Sequence, residues 1–301
     1  DMVEVCGNQE HFRKCFRKWL VAAVASILDP RIINHEILVL VGPQGVYKTT
    51  WFNRLLPEEL RAYFYLKTNS SHLTKDDMMT LSEFAFVCLE EIDEMRPSEM
   101  NQLKALVTSP DINERRPYGH YKEKRAHIAS FCGTTNNANF LNDPTGHRRW
   151  LPFEVKQIQN PYDTPIDYEG VYAQALALWK EGFCFWFAND EIREINAHNE
   201  QFETTNMELE VIQTGYRRPM PGEECQFMTV TDIMARAGFM LKMPLSTVKI
   251  GLALKKLGFE QVRAAGKRGY RVIPLNDEEI HHNRLAMGRY TEPPAEGEAS
   301  V

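Results

Sequence analysis

The run Gly42-Pro43-Gln44-Gly45-Val46-Tyr47-Lys48-Thr49-Thr50 has the residue types of a phosphate-binding loop. A glycine-bearing turn leads into a lysine and two hydroxyls. Backbone N–H groups of such a loop, and of a helix that follows it, converge on phosphate oxygens. In that geometry Lys48 bridges the outer phosphates of ATP and the Thr49 hydroxyl ligates Mg2+. The spacing is that of G-x-x-x-x-G-K-[ST] except at its second glycine, where this chain has Tyr47. Glycine is favoured there because the backbone approaches phosphate closely. Either Tyr47 turns its ring outward or over the base, or it weakens the site. An ordinary strand–turn–helix without a ligand is the plainer alternative.

Other residues supply what hydrolysis would need. Glu90-Glu91-Ile92-Asp93 closes an apolar run. We assign Glu90 to the metal and Glu91 to polarising the attacking water, with Asp93 in reserve for either role. Asn136, after the run His127–Gly133, is placed to orient water against the γ-phosphate. Arg148 and Arg149 are placed to stabilise transition-state charge across a subunit interface. The plainer alternatives are a solvated strand end, a turn asparagine and a surface salt bridge. Between Glu114 and Arg125, five Lys/Arg stand against two Glu, and Pro117 and Gly119 suggest a hairpin. Arg115, Arg116, Tyr118, His120, Lys122, Lys124 and Arg125 interleave cations with rings, which suits single-stranded DNA. An exposed charged loop is the alternative.

These groups need elements to hold them. Ile37–Val41 reads as a buried strand feeding the loop, and Trp51–Leu56 as the helix after it. Further strands are expected at Arg61–Leu66, Phe84–Leu89, His127–Gly133 and after the Arg pair, giving an α/β fold with a parallel-sheet core. Helices are expected over Gln9–Ile27, His72–Leu81, from Pro97 to before Pro110, and over Glu169–Glu181. Residues 152–165 read as a proline-spaced connection and Phe183–Phe187 as core. Asn189–Ile212 reads as a helical lid, so that a first domain covers 1–215.

After a linker at Arg217–Gly222, a short strand, a helix capped by Thr231, a second helix from Leu245 to Leu257 and a hairpin follow. That is the order of a winged helix, expected over 222–275. Lys249, Lys255, Lys256, Lys267 and Arg268 would carry DNA binding there, with protein contact as the alternative. Residues 276–301 read as a disordered tail.

Net charge is 35 − 41 = −6, which excludes a wholly basic nucleic-acid coat but not local patches. No apolar run is long enough to span a bilayer and no signal peptide is visible, so a cytoplasmic protein is expected. The six cysteines are scattered without a C-x-x-C pair, and Cys88 and Cys132 sit in strand-like runs, as buried thiols would. The chain starts at Asp1, as an excised piece of a longer protein would.

Taken in order, five motifs resemble the virulence-associated E family of P-loop proteins from phages and mobile elements, and the wider AAA+ superfamily 3 helicases. They are Gly42-Pro43-Gln44-Gly45 with Lys48-Thr49, Glu90-Glu91-Ile92-Asp93, Arg116-Pro117-Tyr118-Gly119, Gly133-Thr134-Thr135-Asn136 and Asp143–Trp150. The resemblance covers about residues 10–155 and is weaker to 215. It implies an ATPase that assembles as a homo-oligomeric ring on single-stranded or forked DNA, with a primase as partner or fused domain. It also implies that the basic hairpin enters the ring channel. The leading expectation is therefore an ATP-driven DNA helicase or translocase. Tyr47 favours a second reading, a nucleotide-degenerate DNA-binding regulator working through the winged helix. A small-molecule P-loop kinase is disfavoured, because no acceptor-binding lid is visible.

Overall fold

A computed structural model describes residues 2–68, 75–115, 122–141, 147–204, 207–238, 245–264 and 266–286. The chain divides into two compact units between residues 204 and 205. The first contains β1 (Val3–Val5), α1 (Gln9–Leu28), β2 (Ile37–Val41), α2 (Lys48–Asn53), β3 (Phe64–Lys67), α3 (Lys75–Glu83) and β4 (Phe86–Leu89). It continues with α4 (Pro97–Val107), β5 (Asp111–Arg115), β6 (Lys122–Ala126), β7 (Ser130–Thr135), β8 (Trp150–Ile158), α5 (Tyr168–Lys180) and α6 (Asn189–Asn199).

Six strands form one sheet in the order β1-β8-β2-β7-β4-β3. All neighbours are parallel except β1, which runs antiparallel to β8 on the outer edge. The all-apolar β2 is buried along its whole length, as a strand covered on both faces must be. Its alternate residues feed two cores. Leu38 and Leu40 pack with Phe12 and Trp19 of α1, Trp51 and Phe52 of α2, and Phe86 and Phe153. Ile37, Val39 and Val41 pack with Leu103 and Val107 of α4 and with Phe131 and Trp150. Each large side chain buried in this way contributes roughly 1.5–3 kcal/mol. Local signals set the helix ends: Asn8 accepts from the His11 N–H (3.0 Å) at the start of α1, and Glu99 accepts from the Arg96 N–H (2.8 Å) at the start of α4.

The second unit contains α7 (Met207–Gly215), β9 (Tyr216–Arg217), β10 (Gln226–Met228), α8 (Val230–Gly238), α9 (Thr247–Lys256), β11 (Gln261–Ala264), β12 (Lys267–Pro274) and α10 (Asp277–Ala286). Its sheet runs β10-β12-β11, with β9 pairing the far end of β12. Ile212, Ile233, Ile250, Leu254, Tyr270 and Val272 close its core.

The structure departs from the sequence reading at several points. The division falls at 204/205 and not at 215, because Ile212 of α7 is buried in the core of the second unit. Residues 277–286, expected as part of a tail, form α10 and bury Ile280. Residues 152–158, expected as connection, extend β8. In the aromatic run 183–187, Phe187 is buried but Trp186 is 58% exposed. The cap of α8 is Thr229, whose hydroxyl accepts from the Asp232 N–H (3.2 Å), and not Thr231. Cys88 and Cys132 are buried thiols, as expected. Among the described residues no helix is long and apolar enough to cross a membrane.

Candidate functional site

The loop at 42–47 joins the end of β2 to the start of α2. Gly45 has φ +87°, a conformation that side chains rarely take. Tyr47 shares it: at φ 65° and ψ 18° it sits in the left-handed region, immediately before α2. That geometry is the physical reason a glycine belongs there. Here a tyrosine holds it, with 39% of its surface exposed. Among the described residues, the non-glycine residues with positive φ are Tyr47 and Glu91 (φ 52°). Both lie in this site, and strained backbone is concentrated at functional sites.

Lys48 is buried at the head of α2. Its ammonium donates to the carbonyls of Gly42 (2.6 Å) and Pro43 (2.7 Å) and to Oδ1 of Asn136 (3.2 Å). Burial pulls its pKa below the ordinary lysine value. The Thr49 hydroxyl donates to Glu90 Oε1 (2.9 Å). Two hard oxygens side by side against a phosphate loop suit Mg2+, which takes one or two protein oxygens and completes its shell with phosphate and water.

These contacts depend on strand order. β7 lies between β2 and β4, so the tips carrying Lys48, Asn136 and Glu90 are neighbours. The close fit of β7 requires Gly133, since a side chain there would run into Ile92. Asp93, held in reserve for the metal, takes a different part: its Oδ1 accepts from the Thr135 hydroxyl (2.7 Å), which also accepts from the Asn137 N–H (3.1 Å). Asp93 thus ties the segment after β4 to the tip that carries Asn136. Thr135 stands in the Gly133–Asn136 motif but was given no role in the sequence, because its partner is set by strand adjacency.

Arg148 and Arg149 lie elsewhere. Trp150 pairs with Ile37 at the start of β2, whereas the phosphate loop follows Val41 at its end. The Arg pair is therefore at the opposite edge of the sheet, roughly 17 Å away along the strands. Neither arginine makes an ion pair among the described residues; their charges lower the pKa of His35, after burial the largest causes.

The expected hairpin exists as β5 paired antiparallel with β6, Arg115 opposite Lys122. It leaves the sheet at the start of β7, the same edge as the Arg pair. Arg116, Tyr118 and His120 lie outside the described residues. Lys124 pairs with Asp111 (2.8 Å), and Arg125 with Glu123 (2.6 Å) and Glu83 (3.6 Å), so these two cations already have partners. In the second unit Lys249, Lys255, Lys256, Lys267 and Arg268 are exposed. Arg263, not singled out in the sequence, joins them opposite Arg268 in the β11–β12 register.

The first unit is thus an α/β fold with a mostly parallel central sheet and a glycine-bearing loop between β2 and the helix that follows it. The virulence-associated protein E-like domain matches residues 2–204, and the chain belongs to that family. No curated protein matches the sequence. Among solved structures, the apo C-terminal region of NrS-1 is similar with a TM-score of 0.48, at 13% identity over 88% of this chain and 72% of that one. The RuvB Holliday junction branch migration motor of Thermotoga maritima gives 0.34, at 13% identity over 95% and 96%.

Proposed function

We propose that the first unit is a Mg2+-dependent ATPase of the AAA+, superfamily 3 helicase-like type. It would act on single-stranded or forked DNA in replication of a phage or mobile element, as a homo-oligomeric ring such as a hexamer, with a primase as partner or fused domain. The observation that carries the reading is the meeting of Lys48, Thr49, Glu90 and Asn136 at one edge of the sheet. Residues 42–50 bind the phosphates of ATP through backbone N–H groups and Lys48. Thr49 and Glu90 would hold Mg2+, which supplies charge neutralisation at the phosphates. Glu91 accepts a proton from the attacking water and Asn136 orients that water. Arg148 and Arg149 stand too far from their own loop to act there, which suits a neighbour's site. The β5–β6 hairpin moves the strand, and the second unit, winged-helix-like in its order of elements, binds DNA.

The test is Mg2+-dependent ATP hydrolysis with and without single-stranded DNA, with Lys48→Ala as control. DNA-stimulated turnover lost in the variant supports the motor. DNA binding without turnover at any protein concentration supports the second reading, a nucleotide-degenerate DNA-binding regulator. The observation favouring that reading is the strained Tyr47.

A further inference from the structure

Helix α9 carries three lysines and no carboxylate. Ile250, Ala253 and Leu254 face the core. At 100° per residue, the direction opposite that buried face is occupied by Val248, Leu252 and Lys255, with Lys249 and Lys256 along one flank. Val248 is 71% exposed and Leu252 41%. A single exposed aliphatic residue needs no explanation, but these two stand one turn apart at the centre of a cationic face.

The neighbouring hairpin is cationic too. Tyr270 of β12 reaches the Gly251 carbonyl of α9 (3.4 Å), so the sheet packs against this helix. Arg263 and Arg268 are register partners, and Ala264 pairs with Lys267. Like charges directly opposite on two strands disfavour the hairpin by themselves. Between residues 245 and 268 the one carboxylate is Glu260, and it pairs with Arg271 (3.3 Å). Lys249, Lys255, Arg263, Lys267 and Arg268 make no ion pair among the described residues. In a chain of net charge −6, this concentration of cations is complementary to a polyanion.

We propose that α9 enters the major groove of duplex DNA and that Val248 and Leu252 read the 5-methyl groups of thymine, while Lys249, Lys255 and the β11–β12 cations hold the phosphates. The inference rests on the reading that the second unit binds DNA, and is independent of ATP hydrolysis. The major groove admits a helix, and the thymine methyl is the apolar mark it displays. Single strands are bound by stacking on exposed rings. The rings next to this face, Phe259 and Tyr270, are buried instead.

The experiment measures binding of the full chain to blunt duplexes of alternating d(AT) and d(AU), which differ in the thymine methyls. Burying one methyl is worth about fourfold in affinity, so two contacts predict about fifteenfold tighter binding to d(AT). Val248→Ala with Leu252→Ala, both exposed and harmless to the core, should reduce that ratio to near one while leaving the salt dependence unchanged. Lys249→Ala with Lys255→Ala should weaken both duplexes alike and lower the salt slope by about two. Equal affinity of the wild type for the two duplexes overturns methyl reading alone. No duplex binding, or duplex binding indifferent to the lysine changes, overturns the DNA role of the second unit as well. A Val248→Ala/Leu252→Ala variant that changes oligomeric state in sedimentation, with the d(AT) preference intact, overturns the proposal in favour of a protein contact.

Discussion

Substitution at Tyr47 separates the two readings of the phosphate loop most sharply. The residue sits at φ 65° and ψ 18°, where a non-glycine residue costs about 1–2 kcal/mol. Tyr47→Gly removes that strain, and it also frees the unfolded chain by about 0.5–1 kcal/mol, so overall stability should hardly move. The loop already has the left-handed turn that a glycine would supply, so nucleotide binding should change little. We expect Tyr47→Gly and Tyr47→Asn to bind Mg2+–ATP within about threefold of the wild type. Tyr47→Val puts a β-branched residue into the same backbone region, where it is a genuine outlier. A further 1–2 kcal/mol of strain, about five- to thirtyfold in affinity, should fall on the loop. The assay is calorimetric titration of each variant with Mg2+–ATP, with thermal melts to confirm folding. If Tyr47→Gly tightened binding by about tenfold or more, the tyrosine ring would be obstructing phosphate, and the turn would not be preorganised. If Tyr47→Val bound like the wild type, the left-handed conformation at 47 would be irrelevant to nucleotide.

Further outcomes follow from the same geometry. Asp93→Asn weakens the bond to Thr135, so stability should drop by about 1 kcal/mol, and turnover should fall at unchanged KM for ATP because the Asn136 tip is loosened. Lys48→Ala and Arg149→Ala should each abolish hydrolysis, and mixing the two inactive proteins should restore part of it, since each would supply what its neighbour lacks. Mixed samples that stay dead would place the arginines outside the reaction. At the start of α6, Glu191 resists its burial through the Ala188 N–H and pairs with Lys18 (3.0 Å) and Lys14 (3.1 Å), which hold its carboxyl down at about 2 against an ordinary 4.5. A depressed carboxyl stabilises above the ordinary value, so on the order of 2–3 kcal/mol should be lost as pH falls from 4.5 towards 2. Denaturant melts across that range check it, and Lys18→Met should flatten the dependence.

Adjacency along the chain made much of the fold legible in the sequence. The apolar run Ile37–Val41, the glycines and Lys48-Thr49 that follow it, and the carboxylates after Phe86–Leu89 are local patterns, and each became the expected strand tip or loop. Pro97 marked a helix start, and Pro117 with Gly119 marked a hairpin whose two strands exist. Short or weakly patterned pieces were not legible: the three-residue β1 has too few residues to show alternation. The boundary was missed for a related reason, because α7 carries a helical pattern whichever core receives it, and Ile212 goes to the second unit.

The sequence by itself determined which residues could do the chemistry, since residue type and spacing along one strand–loop–helix are inherited directly from the chain. Tertiary structure alone decided their partners. That β7 lies between β2 and β4 gave Lys48 the amide of Asn136 and gave Asp93 the hydroxyl of Thr135. The register of β8 on β2 carried Arg148 and Arg149 to the far edge. Backbone strain at Tyr47 and Glu91 was likewise a product of the folded turns. Strand order, register and φ are settled by which faces bury together in the core, and no local run of residues encodes that.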